Sequence, residues 1–330
     1  MKRQIGVIGG GAWATALSMI SAQATQNVIL WTRNENVVMS INALHTNSQY
    51  LSNVTLPINI HATNNLKDIL SCELIIIAIP AQSLRDIILE LQKLDINTHI
   101  PLIICCKGVE QQSLLLMSEV VQEILPLQQI AVLSGPNFAD EIAEGLPAAT
   151  SLAALELKLA RHLAENLSNH NLKIYYTDDI ISVQLGGAVK NVIAIASGII
   201  TGKNLGENAR AALITRSIAE IKRLCIAKGG NAETLMGLAG IGDLLLTCSS
   251  NKSRNMSFGI ELSKGKSLQS IQNSGPKIVE GVISAKSIYE LSLKLGIEMP
   301  ICKSVYQILY ESASIENTIN SLLKRPVCNE

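Results

Sequence analysis

The chain has 330 residues with 27 basic and 27 acidic side chains, so its formal net charge is zero. Hydrophobic residues make up 48%, charged residues 16% and aromatic residues only 3%. The lack of a basic excess argues against a nucleic-acid backbone binder, and the scarcity of aromatic rings argues against a base-stacking surface. The apolar content excludes a disordered protein, and at roughly 150 residues per domain the length predicts two domains.

Short aliphatic runs alternate with helix-like segments in the first half of the chain. Continuous apolar strands imply burial on both faces, and strand–helix alternation is typical of a doubly wound α/β domain with a mostly parallel sheet. The predicted strands cover residues 4–8, 28–31, 73–79, 100–105 and 130–133, with two more near 148–153 and 173–176, and the predicted helices cover 12–24, 83–93 and 113–124.

The pattern changes after Thr177. Asp178 and Asp179 are placed to cap a helix, and long helical patterns without a convincing strand follow over 183–200, 209–228, 256–264, 282–295 and 303–311. The sequence therefore predicts a sheet domain over residues 1–177 and an all-helical domain over residues 178–330.

Apolar runs and cysteine usage bear on the compartment. The longest apolar runs fall far below the ~20 residues of a membrane span, and the N-terminus lacks the apolar core of a signal peptide. The seven cysteines form no C-x-x-C pair. We therefore expect reduced thiols in the cytoplasm, with no redox or disulfide role for the neighbours Cys105 and Cys106.

A glycine fingerprint, GGGAWA at residues 9–14, lies between the first strand and the first helix. It fits G-x-G-x-x-G/A: Gly9 allows the tight turn, Gly11 lets the backbone approach a pyrophosphate, and Ala14 permits close packing of helix on strand. The N-terminus of the helix then offers N–H groups to the phosphates. This context predicts a Rossmann-like, dinucleotide-binding domain.

The end of the second strand indicates which dinucleotide is preferred. NAD-binding domains usually carry an acidic residue about 20 residues past the fingerprint, where it binds the ribose hydroxyls. This chain has Arg33 at that strand end. An arginine suits the 2′-phosphate of NADPH or NADP, so we expect these to be preferred over NADH and NAD. The alternative is a solvated surface arginine.

Three polar positions are candidates for chemistry. Lys107 follows a buried strand at its carboxyl end, where α/β proteins bind ligands. Lys190 interrupts a small and apolar helix, which favours a cleft-facing proton donor over a lysine that snorkels to solvent. Asp243 lies in a glycine-rich turn and could hold a lysine ammonium. The stretch that follows it ends in donors suited to a phosphate, although a polar loop is the more ordinary interpretation.

The histidines do not indicate a catalytic or metal site. All five lie in loop-like or surface stretches, and none has the spacing of a catalytic triad or a metal site. We therefore predict no metal.

The motifs together resemble the bacterial NAD(P)-dependent glycerol-3-phosphate dehydrogenases, in an ordered series through nearly the whole chain. The matching segments are GGGAW at 9–13, IPAQSLR at 79–85, KGVE at 107–110, SGPNFA at 134–139, GAVKNVIA at 187–194, NARAALITR at 208–216, SRN at 253–255 and VEG at 279–281.

The resemblance implies the reversible reduction of dihydroxyacetone phosphate to sn-glycerol 3-phosphate, which supplies phospholipid biosynthesis. It implies that Lys190 is the catalytic proton donor and acceptor and also contacts substrate. The other implied substrate contacts are Lys107, Gly135, Asn137, Asp243, Ser253, Arg254 and Asn255. The implied cofactor positions are Gly9, Gly11, Ala12, Trp13, Arg33, Lys107, Ala139, Arg254, Ile278 and Glu280.

Two residues depart from the family pattern. Ala14 replaces a more usual glycine, which the motif tolerates. Asn137 replaces a usual serine, which leaves that one substrate contact open. Lys107, Lys190, Arg254 and Arg33 are expected to converge on a cleft that holds two anions, and a homodimer is one expectation for the assembly.

Two other functions stay open at this stage. One is another β-hydroxyacid-type NAD(P) dehydrogenase that acts on a carboxylate. The other is a non-catalytic NADP-sensing regulator, against which the intact lysines, Asp243 and Arg254 argue.

Overall fold

The computed structural model describes residues 4–25, 27–274 and 279–326. Its N-terminal part is built on one eight-stranded sheet. The strands in chain order are β1 Gln4–Ile8, β2 Asn27–Trp31, β3 Ile60–Thr63, β4 Leu74–Ile77, β5 Leu102–Ile104, β6 Ile130–Ser134, β7 Ala148–Ala153 and β8 Leu172–Thr177.

The strands lie in the order β3-β2-β1-β4-β5-β6-β7-β8. Every neighbouring pair is parallel except β6 and β7, which run antiparallel. The chain builds outward from β1 first to one side and then to the other. Doubly wound sheets bind ligands outside the carboxyl ends of the strands at such a reversal point. The predicted α/β fold with a mostly parallel sheet is confirmed.

The sequence analysis misses the edge strand β3. In its segment, Ile60 and Ala62 are buried whereas His61 is exposed. An edge strand is covered less completely than a central one, so it need not be a continuous apolar run. The criterion that finds β4 and β5, which are buried throughout, therefore passes over β3.

One helix of the sheet region shows clearly how such helices bury a single apolar face. In the helix after β4, four aliphatic side chains are buried at the i, i+3, i+4 and i+7 spacing, which is the pattern of a helix packed on one side. These helices are α1 Ala12–Ala24, α2 Glu35–Leu44, α3 Leu84–Lys93, α4 Met117–Ile124, α5 Ala139–Ala143 and α6 Leu157–Leu167. The sequence analysis does not predict α2, α5 or α6.

The part of the chain after β8 consists of helices joined by turns and loops, with no strand among its described residues, as predicted. Its helices are α7 Ile180–Gly202, α8 Glu207–Ala227, α9 Asp243–Ser249, α10 Arg254–Ser263, α11 Leu268–Ser274, α12 Glu280–Lys294, α13 Pro300–Tyr310 and α14 Ile315–Leu323. Helix α7 is long and apolar enough to cross a membrane, but 89% of its most apolar window is buried inside the protein, as in a core helix.

Helices α7 and α10 cross with their backbones in close contact. A Cβ atom at Gly198 would lie 2.0 Å from the carbonyl oxygen of Met256, and one at Gly259 would lie 2.1 Å from that of Ile195. Only glycine fits such separations, because Cβ atoms do not approach oxygen below about 3 Å. The crossing fixes the two helices that carry Lys190 and Asn255.

Tertiary contacts divide the chain into two compact units. The first comprises Met1–Glu110 and Leu115–Gln184, and the second comprises Gln111–Leu114 and Leu185–Glu330. The sequence analysis places the boundary at Thr177, whereas this division falls inside α7. The first turn of α7 belongs with the sheet because Gln184 exchanges two hydrogen bonds with Ser118 of α4, at 2.9 and 2.8 Å.

Candidate functional site

The glycine turn, residues 9–14, connects β1 to α1 at the reversal point of the sheet. Gly9 has φ = 136°, and a Cβ atom there would lie 2.3 Å from the carbonyl oxygen of Ala78, so glycine is required. Gly11 is the N-cap of α1 and makes no side-chain cap hydrogen bond. No described atom lies within 4 Å of where its Cβ would stand. The turn thus leaves room beside the N-terminus of α1, which begins at Ala12, for a pyrophosphate.

Two further groups at this end of the sheet fit a dinucleotide. The Nε1 atom of Trp13 is buried and has no hydrogen-bond partner among the described residues. The Arg33 side chain, just past β2, is 59% exposed and lies 5.9 Å from the centroid of the Trp31 ring. Its nearest acidic partner is exposed Glu90 at 3.7 Å, a pairing too weak to occupy the guanidinium. Arg33 can therefore bind a further anion.

Sequence reasoning misses Asn47, which supports the glycine turn. Asn47 is fully buried, and its Nδ2 donates to the carbonyl oxygen of Gly10 at 2.9 Å and to Thr15 Oγ1 at 2.8 Å. These bonds tie a distant loop to both the turn and α1. No sequence signal finds this residue, because its contacts lie more than 30 positions away.

Lys107 and the segment after β6 meet at the carboxyl ends of β5 and β6. Lys107 is half-buried, and its Nζ donates to the carbonyl oxygen of Gly135 at 3.2 Å. Asn137 uses its Nδ2 to bond the carbonyl oxygen of Ala149 at 3.3 Å. Two residues beyond Asn137, Ala139 is half-buried at the start of α5.

Three polar atoms in and beside this segment are buried and lack hydrogen-bond partners among the described residues: Ser134 Oγ, Asn137 Oδ1 and Thr150 Oγ1. Buried polar atoms are normally hydrogen-bonded, so such a set marks a place where a ligand or water completes the hydrogen bonds. The sequence analysis names Asn137 but not the two hydroxyls.

The Lys190 cluster, formed by Lys190, Asp243 and Thr247, lies in the helical unit. Lys190 is 8% exposed and Asp243 is fully buried, and their charged atoms form an ion pair. Lys190 Nζ also donates to Thr247 Oγ1 at 3.0 Å, and Thr247 Oγ1 donates to the carbonyl oxygen of Asp243 at 2.6 Å. Lys190 therefore does not snorkel to solvent. Its ammonium is buried and held by an acidic partner, as the sequence analysis proposed for Asp243.

Residues 240–255 are not one polar loop: the loop is confined to residues 250–253, between two helices. Asp243 opens α9 directly after a π-helical turn at Leu238–Gly242. The Oγ atom of Ser253 accepts from the N–H of Met256 at 3.3 Å and caps α10. Serine and glycine favour helix starts as well as loops, so a short helix between them has the composition of a loop. Thr247, one turn after Asp243 on α9, is missed for the same reason.

The first turn of α10 carries the remaining predicted substrate residues. Ser253 is buried and Arg254 is exposed. Asn255 is buried, and its Nδ2 donates to Asn191 Oδ1 at 2.9 Å while its Oδ1 accepts from the N–H of Gly281 at 2.9 Å. The amide is thus locked, with one N–H left over among the described contacts. Asn191, the neighbour of Lys190, was not predicted.

One predicted cofactor residue opens α12. Glu280 is half-buried and is the first residue of that helix. Ile278 lies outside the described residues. The structure thus joins Lys107 to Gly135 within the sheet unit and Lys190 to Asp243 within the helical unit.

The cysteines are poor nucleophiles. Burial raises the pKa of Cys248 to about 12 against the opposing effect of Lys190, and burial likewise raises the pKa of Cys105 well above its ordinary value. A neutral thiol is unreactive. The six cysteines in the described part of the chain are buried, and none of them is in a disulfide there.

Comparison with known proteins shows what this chain is similar to. The family model described as the N-terminus of NAD-dependent glycerol-3-phosphate dehydrogenase matches residues 4–160, and the model of its C-terminus matches residues 179–320. The glycerol-3-phosphate dehydrogenase [NAD(P)+] of Parvibaculum lavamentivorans is 44% identical over 99% of this chain and 98% of its own. That of Maricaulis maris is 45% identical over 98% and 97%.

A crystal structure is also similar. Glycerol-3-phosphate dehydrogenase from Coxiella burnetii superposes with a TM-score of 0.94 at 38% identity, covering 98% of this chain and 99% of that one. Both the sheet unit and the helical unit fall within this similarity. The chain therefore belongs to the NAD-dependent glycerol-3-phosphate dehydrogenase family.

Proposed function

We propose that this protein reduces dihydroxyacetone phosphate reversibly to sn-glycerol 3-phosphate, with Lys190 as the proton donor in reduction and the proton acceptor in oxidation. Glycerol-3-phosphate dehydrogenase activity with NAD(P) follows from family membership. The observation that carries the residue assignment is the buried Lys190 cluster, because a buried ammonium held by a carboxylate and a hydroxyl is costly unless it has a task.

The reaction needs a proton where negative charge develops. When bound, NAD(P)H supplies the hydride that reduces the ketone carbon. The carbonyl oxygen then becomes an alkoxide, which takes a proton from the Lys190 ammonium. Asp243 stabilises the ammonium before transfer, and Thr247 fixes its direction. Lys190 regains its proton from solvent, and the oxidation runs through the same steps in reverse.

The first turn of α10 is suited to the substrate phosphate. Arg254 is an exposed guanidinium that can bind phosphate oxygens in a bidentate manner, and Asn255 holds its amide in one orientation. Ser253 adds a capped helix N-terminus with its positive dipole end. Lys107 contributes a further positive charge. An anchored phosphate restricts the ketone to one orientation, which raises the rate.

The glycine turn and Arg33 support the choice of cofactor. The space beside Gly11 and the uncapped start of α1 accept a pyrophosphate, and the buried Nε1 of Trp13 requires an acceptor. Arg33 is exposed at the end of β2, where a 2′-phosphate would lie. We therefore assign NADPH as the preferred reductant, with NADH also accepted.

The product, sn-glycerol 3-phosphate, supplies the glycerol phosphate backbone for phospholipid biosynthesis. Six buried cysteines that form no disulfide among the described residues fit a reducing compartment, which supports a cytoplasmic location. We further propose that the protein is a homodimer. Light scattering on the purified protein measures this oligomeric state directly.

The test is the loss of NADPH absorbance with dihydroxyacetone phosphate, repeated with a panel of β-keto acids. We expect turnover with the phosphate ester only, and turnover of a keto acid instead would favour the β-hydroxyacid alternative. In Lys190→Ala, kcat should fall by about 10³-fold while the Kd for NADPH stays within about twofold. Lys203→Ala, at the end of the same helix, is the control and should turn over normally. Near-normal turnover by Lys190→Ala would reject its assignment.

A further inference from the structure

The segment 107–110, which begins with Lys107, is held in place by side chains that come from beyond β4. Gln82 Nε2 donates to the carbonyl oxygen of Val109 at 2.9 Å. Arg85 on α3 donates from Nε to one carboxylate oxygen of Glu110 at 2.8 Å and from Nη2 to the other at 2.9 Å. These three contacts fix both the backbone and the last side chain of the segment.

The Arg85–Glu110 pair is rigid for a physical reason. Glu110 is only 7% exposed, so its carboxylate needs a partner that satisfies both oxygens. The forked guanidinium does this with two parallel bonds, which define an angle as well as a distance. Arg85 is anchored in turn through Nη1, which donates to Glu123 of α4 at 2.8 Å. Hydrogen bonds to Glu110 and Glu123 raise the pKa of Arg85, so its charge is permanent.

The other edge of the segment is also fixed. Val109 bridges to Leu116, and the N–H of Glu110 donates to the carbonyl oxygen of Leu115 at 3.0 Å. Lys107 lies between this clamped stretch and the end of β5. Its ammonium, which donates to the carbonyl oxygen of Gly135 at 3.2 Å, stands at the end of a flexible side chain, so its position depends on the backbone that carries it.

We infer that Arg85 is a positioning residue for Lys107: through its paired bonds to Glu110 it sets where the Lys107 ammonium stands in the reaction. This inference rests on the proposed function, which places Lys107 at the substrate. The competing view is that Arg85 only joins α3 to α4 and stabilises the fold.

A double-mutant cycle separates the two views, because residues that act through one another give non-additive effects. Arg85→Lys keeps a positive charge beside Glu110 but cannot make both parallel bonds. The effect of Arg85→Lys on kcat/KM for dihydroxyacetone phosphate is measured in the wild-type background and in the Lys107→Ala background. Both assays use the enzyme at micromolar concentration. Arg161→Lys, in the exposed Arg161–Glu165 pair of α6, is the matched control and should leave activity unchanged.

We expect Arg85→Lys to lower kcat/KM by about tenfold in the wild type and by less than about twofold in Lys107→Ala. Glu110→Gln, which removes one of the two paired bonds from the other side, should show the same dependence on background, and it decides the question if Arg85→Lys does not fold. An equal loss in both backgrounds would overturn the inference, as would full activity of Lys107→Ala. A wild-type protein that does not reduce dihydroxyacetone phosphate would instead reject the proposed function.

Discussion

The glycine turn and the Lys190 cluster differ in construction: the first offers backbone groups to a ligand, and the second holds a buried charge with side chains. The turn is built mainly from backbone groups within six consecutive positions, five of which are glycine or alanine, and it leaves open space next to Gly11. The cluster is built from side chains, and its two charged members lie 53 positions apart on α7 and α9. Lys190 and Asp243 are buried, and the cluster bonds within itself.

This difference determines which substitutions should damage the glycine turn and which should damage the Lys190 cluster. A site made of backbone tolerates most side-chain changes except those that add a Cβ at a crowded or ligand-facing glycine. A site made of a buried ion pair fails when either partner is removed, because the other charge is then left without compensation. The predictions below test this contrast, from the largest expected effect to the smallest.

Asp243→Asn should break the side-chain site most severely. It removes the carboxylate that compensates the buried Lys190 ammonium, so the free energy of unfolding should fall by about 3–5 kcal/mol, together with most of the turnover. Urea denaturation and the NADPH assay measure both. The double variant Lys190→Met with Asp243→Leu is the control: it should recover most of the stability but none of the activity. If Asp243→Asn is as stable as the wild type, the ion pair does not support the fold.

Gly9→Ala and Gly11→Ala should separate the contribution of the glycine turn to stability from its contribution to NADPH binding. The first places a methyl group 2.3 Å from a carbonyl oxygen at a positive φ, so we expect a loss of about 4 kcal/mol in stability from strain and displacement together.

Gly11→Ala is the matched variant, because its methyl group meets no described atom. It should cost about 1 kcal/mol or less in stability, yet raise the KM for NADPH by about tenfold or more, because the methyl group stands where the pyrophosphate approaches. Thermal unfolding and initial rates separate the two. Equal behaviour of the two variants would contradict the geometry assigned to the turn.

The same contrast explains how much of the fold could be predicted from sequence. Central strands such as β4 are buried on both faces and are visible as apolar runs. The edge strand β3 is not, and the antiparallel pairing of β6 with β7 leaves no mark in either segment. Helix α9 was missed because its glycine and serine neighbours have the composition of a loop.

The site divides in the same way. The glycine turn is contiguous, so the sequence displays it whole. Lys190 could be found because a charge stands out on an apolar helix, and Asp243 because it was the acidic residue nearest to a glycine-rich turn. Thr247, Asn191 and Asn47 could not, because each acquires its role from a partner brought near only by folding.

Glu220 offers a second buried charge in the helical unit, paired with backbone groups instead of a lysine. Its carboxylate is 1% exposed and accepts from the N–H groups of Ile301 and Cys302 at 2.6 and 3.2 Å, at the start of α13. Burial raises its pKa from 4.5 to about 7, outweighing these hydrogen bonds and the nearby Arg223.

Because the pKa of Glu220 is higher in the folded protein, the native state binds the proton more tightly than the unfolded chain does. The stabilisation from that proton is complete below pH 4.5 and is lost as the pH rises through about 7. The loss should approach about 3 kcal/mol. Urea denaturation between pH 4.5 and 8 measures it, and Glu220→Gln should remove this part of the slope. A variant with the wild-type slope would show that another group titrates.

Arg33→Ala should have the smallest effect on stability, and it sharpens the comparison because Arg33 is a long charged side chain assigned to the same cofactor as the glycine turn. It is exposed and weakly paired with Glu90, so its removal should leave the free energy of unfolding within about 0.5 kcal/mol. We expect the KM for NADPH to rise about tenfold, since a charge-assisted bond to the 2′-phosphate is lost. The KM for NADH should change by less than about twofold, because NADH carries no such phosphate.

Arg161→Ala, another exposed arginine, is the control for the loss of charge. Equal shifts with both cofactors would remove Arg33 from cofactor selection, and the site would then choose its dinucleotide through the turn alone.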